Sequence, residues 1–210
     1  MQPIFDFFFD QYYNYPTLFI ILEIIAVIFG FLSVWYSKQN NILVYPTGII
    51  STLIFVYILY QWQLLGDMMI NAYYFLMSIY GWYIWTRKVD PEHYTPITNT
   101  TKGENIKSVF IFIATLLFVF VVYEYFDKWN SWTAYVDTLT TAVFFVGMWQ
   151  MAKRKIENWL FWIVGDIISV PLYFYKGLVF TSFQYLIFTI IAIYGYKAWK
   201  KNLRNDLRPA

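Results

Sequence analysis

Seven times in 210 residues the chain runs through 17 to 20 mostly apolar residues before a polar, charged or glycine-containing break. A hydrocarbon core about 30 Å thick is crossed by a helix of roughly 20 apolar residues, with about 17 as the lower limit. The runs are Thr17–Tyr36, Tyr45–Gln61, Met68–Trp85, Ser108–Tyr125, Ala134–Ala152, Trp159–Tyr175 and Phe180–Trp199. Composition supports a membrane assignment: 60% of residues are hydrophobic and 13% charged, against about 45–50% and about 25% in soluble domains. A globule of this size cannot hide that excess from water, so it faces lipid. The expected class is an all-α integral membrane protein with seven transmembrane helices.

Charge and residue usage exclude several functions. A net charge of +2 gives little support for nucleic-acid binding, and the absence of cysteine removes disulfides, thiolate nucleophiles and cysteine metal sites. Asp6 and Asp10, with no basic residue before the first apolar run, do not read as a cleavable leader, so the first helix is expected to stay. The one long connection, Arg87 to Lys107, is polar, carries Pro91 and Pro96, and reads as a hinge between halves. The loops after the first, third, fifth and seventh helices hold 13 of the 15 Lys and Arg, with Lys128 and Lys176 opposite. Cytoplasmic loops keep the positive residues, so the N-terminus is expected outside and the C-terminus in the cytoplasm. Trp62, Trp82, Trp85, Trp129, Trp132 and Trp199 lie near helix ends, where the interface favours indoles.

The halves resemble each other. A shift of 117 residues lays Gly147 on Gly30, Lys155 on Lys38, Trp162 on Tyr45 and Gly165 on Gly48; after a three-residue contraction, Ile193-Tyr194-Gly195 falls on Ile79-Tyr80-Gly81 and Trp199 on Trp85. The expectation is 3+1+3: a first three-helix repeat over 17–85, a hinge with linker helix over 86–133, and a second repeat over 134–199. One linker helix makes the repeats parallel, an arrangement used by transporters with a substrate site between repeats near the midplane.

Chemistry concentrates in the sixth helix, where Trp159, Trp162, Asp166, Ser169 and Tyr173 share one face at helical spacing. Asp166 lies roughly 12 Å into the span at 1.5 Å per residue. A carboxylate there costs at least about 2.5 kcal/mol, so it faces a cavity or a partner rather than lipid. Two readings stand: a hydrogen bond inside the bundle, or a site whose anion and aromatic face suit a flat cationic ring. In the third helix Asn71 and Tyr74 share a face and can bond sugar hydroxyls or a carboxamide, whereas Asp67 reads as a helix N-cap. Glu23 and Glu124 are further membrane carboxylates; Glu23 either lines a pathway or bonds within the bundle. Pro46, Pro171, Gly30, Gly48, Gly147 and Gly165 permit kinks or close helix contacts, and small-residue packing explains them equally well. No Gly-x-x-x-x-Gly-Lys-Ser/Thr loop is present. The lone His93 reads as solvated, so no metal site or cofactor is expected.

Three stretches together resemble the PnuC family of bacterial vitamin transporters: Tyr45-Pro46-x-Gly48; Gly66-Asp67-Met68 through Asn71-x-x-Tyr74 to Tyr80-Gly81-Trp82-Tyr83-x-Trp85; and Asn158-Trp159-x-x-Trp162-x-x-x-Asp166 with Tyr175-Lys176-Gly177-Leu178 and Thr181-Ser182. The resemblance covers nearly the whole chain from the first helix to Trp199. It implies an architecture related to SWEET sugar transporters, facilitated diffusion of a vitamin precursor across the bacterial inner membrane, uptake made irreversible by a cytosolic kinase, and a homotrimer. It places Trp159, Trp162, Asp166, Asn71 and Tyr74 in the substrate pocket. Ser51, Tyr173 and Glu23 complete the candidate set. Ser51 and Asn71 stand where riboside transporters often carry asparagine and glutamine, so the expected substrate is a small cationic vitamin, nicotinamide riboside first and thiamine second. An enzyme would need polar catalytic groups clustered at one membrane face; here they are sparse and deep. A receptor would be expected to couple to a soluble output domain, and the tail after Trp199 is too short to be one.

Overall fold

The computed structural model describes residues 16–62, 64–88, 94–176 and 179–206, with the side chains of 179, 180 and 204–206 left aside. Pro91, His93, Gly177, Leu178, Asp6, Asp10 and Arg208 lie outside the described residues, as does the side chain of Arg204. The described residues form seven helices: α1 Thr17–Lys38, α2 Val44–Gln61, α3 Leu65–Thr86, α4 Lys102–Tyr125, α5 Thr133–Ala152, α6 Asn158–Tyr175 and α7 Val179–Asp206. No strand occurs among them, only isolated bridges between Lys88 and Tyr94 and between Thr98 and Lys155.

Each helix starts where its apolar run does or a few residues before it. The largest extension is at α4, where Thr101 accepts from the Glu104 amide while the Glu104 carboxylate accepts from the Thr101 amide. This reciprocal cap starts the helix six residues before the apolar run, because capping needs polar side chains and lipid burial needs apolar ones. Asp67 is not the N-cap of α3. The helix begins at Leu65, behind Leu64, which makes no side-chain cap bond, and Asp67 sits in the first turn. There its charge complements the amide end of the helix dipole. By length and composition α1, α2 and α4 are apolar enough to cross a membrane. The others carry more hydroxyl, amide and phenol groups, and many of these turn inward; Thr138, Gln150, Asn158 and Ser169 are buried.

Packing follows two matching chains of contact. α1 packs on α2 and α2 on α3; α5 packs on α6 and α6 on α7; the sets join through α1 on α7 and α3 on α5. α4 lies mainly on α5, where the Gln150 amide donates to Ser108 Oγ at 2.9 Å. This cover explains why α5 is the most buried helix while α1 keeps Ile21, Ile24 and Ile28 exposed.

The ends of α1 and α5 are alike bond for bond. The amides of Gln39, Asn40 and Asn41 donate to Trp35, Ser37 and Tyr36; those of Lys153, Arg154 and Lys155 donate to Trp149, Met151 and Gln150. Asn40 and Arg154 both hold left-handed backbone, at φ 56 and φ 57. Each member of the second set lies 114 residues after its counterpart. These contacts recur three residues short of the 117-residue shift read from glycines and lysines. The loops also meet. The Arg154 guanidinium donates to Asn40 Oδ1 at 2.8 and 3.0 Å and to the Thr95 carbonyl. Thr98 exchanges backbone bonds with Arg154 and Ile156 at 3.2 and 3.0 Å, and Lys155 pairs with Glu104 at 3.0 Å. The described part of the hinge is thus strapped onto the α5–α6 turn.

Candidate functional site

The same spacing of 114 residues governs the interior. Trp85 Nε1 donates to the Met151 carbonyl at 3.2 Å, and Trp199 Nε1 donates to the Ser37 carbonyl at 2.9 Å. Trp85 meets Tyr45 edge-on at 5.1 Å, and Trp199 meets Trp159 edge-on at 5.6 Å. A methyl group on Gly81 would lie 2.3 Å from the Tyr45 ring, and one on Gly195 would lie 2.5 Å from the Trp159 ring. These glycines are demanded by close approach of a ring. Ser37 Oγ meets Met151 Sδ at 3.2 Å, and the indoles of Trp85 and Trp199 meet at 5.6 Å. Together they close one end of the space between the helix sets, the end carrying Arg154, whose guanidinium covers Trp85 at 4.4 Å.

Above this floor lies a cavity of about 250 Å³ bounded by both sets. Its lining falls into equivalent pairs: Gly30 with Phe144, Gly48 with Trp162, Thr52 with Asp166, Tyr74 with Phe188, and Ser78 with Ala192. Equivalent positions thus carry different chemistry. The first wall offers small residues and hydroxyls, including Ser33 and Ser51; the second offers large rings and one carboxylate. Phe144 lies between Trp162, at 5.4 Å, and Tyr185, at 6.0 Å, in near-parallel stacking. Gly165 makes room for it, since a methyl group there would stand 2.3 Å from the Phe144 ring. Tyr185 stacks on Tyr173 at 5.0 Å, the Lys176 ammonium lies 5.2 Å from the Tyr173 ring, and Lys176 pairs with Asp137. This column closes the end opposite the indoles.

Two polar groups of the second wall are unspent. Asp166 is 3% exposed and, among the described residues, has no hydrogen bond or ion pair. Trp159 is 2% exposed and its indole N–H has no acceptor among the described residues. A buried carboxylate in a membrane protein is costly, and a buried donor without a partner costs about 1–3 kcal/mol. Both border the cavity. The arrangement can take a flat cation beside Asp166, packed against the aromatic column of Trp162, Phe144 and Tyr185, with a polar substituent that reaches the Trp159 indole. Among the described residues no lysine or arginine lines the cavity.

The cavity brings together Trp159, Trp162, Asp166, Tyr74 and Ser51. Three candidates are not in its lining. The Asn71 amide donates to the Asp67 carbonyl of its own helix at 3.0 Å. Tyr173 stands behind Tyr185, and Glu23 is half-buried on α1. Sequence reasoning missed Phe144, Tyr185, Ser33 and Ser78. Phe144 stands 114 residues after Gly30, a spacing that the glycine and lysine matches do not give in that helix, and nothing in the sequence marks Tyr185 among twenty tyrosines. A second cavity, of about 420 Å³, lies between α3, α4 and α5 beside Asp67, Asp137 and Lys128. Its charges are mixed and it lies to one side of the paired helices.

A sequence profile described as nicotinamide mononucleotide transporter matches residues 20–201. The nicotinamide riboside transporter PnuC of Escherichia coli K12 is 24% identical over 87% of this chain and 86% of its own. The riboflavin/roseoflavin transporter RibM of Streptomyces davaonensis is 25% identical over 89% and 88%. The crystal structure of a vitamin B3 transporter PnuC superposes with a TM-score of 0.64 at 23% identity, over 88% of this chain and 82% of that one, so the two share a fold. These relatives are transporters rather than enzymes, and on the match over nearly its whole length the chain belongs to the nicotinamide mononucleotide transporter family, the family of PnuC.

Proposed function

We propose that the chain mediates facilitated diffusion of nicotinamide riboside through the bacterial inner membrane, with the cavity between the helix sets as its binding site. The observation that carries this reading is the unpaired Asp166 carboxylate beside Phe144 and Trp162, since the substrate is a permanent pyridinium cation joined to a sugar. Trp159, Trp162, Asp166, Tyr74 and Ser51 contact it; Tyr173 backs the aromatic column, and Asn71 and Glu23 act along the path rather than in the pocket. The cavity lies just below the roughly 300 Å³ at which drug-sized sites begin, which suits a two-ring ligand.

The halves are parallel repeats, 17–85 and 134–199, joined by the hinge and linker helix of 86–133. Seven spans, a SWEET-like plan, an outside N-terminus and a cytoplasmic C-terminus belong to the same reading. Its support is the set of contacts repeated at 114 residues and the clustering of Arg154, Lys155 and the strap at one end. The bare apolar face of α4, with Phe110 and Leu117 more than 60% exposed, suits lipid or the neighbouring copy of a homotrimer. With no lysine or arginine among the described lining residues, a phosphorylated product is poorly accepted back. A cytosolic kinase would then make uptake one-way.

Thiamine also carries a cationic ring, and riboflavin is what a relative is named for. Uptake of labelled riboside into proteoliposomes, with thiamine and riboflavin as competitors, tests the reading. Saturable flux that equilibrates without an ion gradient and resists both competitors is expected. Flux of another vitamin alone, or of none, overturns it.

A further inference from the structure

We propose that Ser78, with Ser33 beside it, hydrogen-bonds a hydroxyl of the substrate's sugar and thereby makes the site prefer a ring bearing a sugar over the bare cationic ring. This rests on the reading of the cavity as a riboside site and adds to it the group that reads the sugar.

Helical serines and threonines usually spend their proton on the carbonyl one turn back. In this bundle Thr47, Thr52, Thr86, Ser108, Thr115, Thr138 and Thr189 do so. Ser51 is committed across helices to the Ala26 carbonyl at 2.8 Å, and Ser33 to the Val44 carbonyl at 2.7 Å. Ser78 is different. It is 3% exposed, lines the cavity, and its hydroxyl has no partner among the described residues. It is free to donate. Ser33 has spent its proton but keeps lone pairs, so the two hydroxyls together offer a donor and an acceptor, the complement of an alcohol.

Gly48 keeps both within reach. A methyl group there would stand 3.0 Å from Ser33 Oγ and 3.3 Å from Ser78 Oγ, filling the notch they border. The equivalent position in the other half is Trp162, and the equivalent of Ser78 is Ala192, so the notch exists on one wall only. The carboxylate stands on the other wall, where its counterpart is Thr52. A ligand with a cationic ring at one end and a polyol at the other therefore has one preferred way to lie.

Isothermal titration of the purified full-length protein with nicotinamide riboside and its 2′-, 3′- and 5′-deoxy forms tests this, on wild type and Ser78→Ala. For wild type, one deoxy form binds about tenfold more weakly, the upper range for a neutral hydrogen bond. Ser78→Ala loses a similar factor for the riboside and no longer distinguishes that deoxy form. Gly48→Ala, which fills the notch and keeps the hydroxyl, is expected to weaken the riboside likewise. If Ser78→Ala binds the riboside like wild type, or loses equally for the riboside and all three deoxy forms, Ser78 does not read the sugar. If wild-type protein binds no form at all, the riboside reading itself fails.

Discussion

Replacing Asp166 by asparagine removes one charge and leaves the side chain's shape, so it isolates what the carboxylate does. Asp166 is 3% exposed and unpaired among the described residues. A pyridinium about 4–5 Å away, at an effective dielectric constant of about 20, is attracted by roughly 3–4 kcal/mol. Desolvation of both groups and the residual dipole of the amide return part of this. About 2 kcal/mol remains, roughly a 30-fold weaker Kd. The empty protein is not weakened, because among the described residues the Asp166 side chain has no partner to lose and an amide fills the same space. Its Tm should therefore stay within about 2–4 °C of wild type, the shift that about 1 kcal/mol makes in a domain of this size. Titration with nicotinamide riboside and with benzamide riboside, whose ring carbon replaces the charged nitrogen, reads the first effect; thermal unfolding in detergent without ligand reads the second. Wild type should favour the charged ring strongly and the variant hardly at all. Unchanged affinity together with a lowered Tm would refute the reasoning and make Asp166 a structural member of the bundle.

Four further outcomes follow from the same packing. Phe144→Ala should lower Tm through the space left beside Gly165 and weaken riboside binding about tenfold, since it opens the aromatic column of Trp162 and Tyr185 that walls the cavity. Gly195→Ala should destabilise the empty protein by about 1–3 kcal/mol, because the added methyl meets the Trp159 ring at 2.5 Å against Trp199; an unchanged melting curve would contradict the packing. Arg154→Ala should raise hydrogen exchange in residues 94–101 more than in α7, since it cuts the tie from Thr95 to Asn40. Burial pushes the Glu104 carboxyl up, but the Thr101 amide, the Lys155 ammonium and the Thr101 hydroxyl outweigh it and hold it below its ordinary value. Its contribution is therefore complete above the ordinary carboxylate range of about 4.3 and is lost as pH falls through the lowered value. Exchange at the start of α4 should rise below about pH 4 in wild type and be independent of acid in Glu104→Gln.

Helix number and order were legible because each helix is built on one long apolar run, and the breaks at Lys38-Gln39-Asn40-Asn41 and Lys153-Arg154-Lys155 are unmistakable. Helix ends were less so: the Thr101–Glu104 cap is polar, so a search for apolar runs stops at Ser108 and misses the first turns of α4. The sixth-helix face was legible at Trp159, Trp162 and Asp166, where helical spacing places all three on one stripe. Its fourth member, Tyr173, continues the stripe past the cavity to Lys176. Asn71 shares a face with Tyr74, yet its amide turns back to its own helix, a choice between internal and external partners that spacing does not encode. Contacts recur at a spacing of 114 residues, whereas glycines and lysines alone suggest 117 in the first two helices. At that spacing Gly48 matches Trp162 and Thr52 matches Asp166, unlike residues that only their places in the cavity lining bring into correspondence.

A structure of the protein with nicotinamide riboside bound tests the central claim most directly. The account predicts the pyridinium against Phe144 and Trp162 with Asp166 facing it, and the sugar in the notch at Ser33, Gly48 and Ser78. Ligand seated instead in the larger cavity beside Asp67 and Asp137, or with its sugar against the aromatic wall, would contradict it.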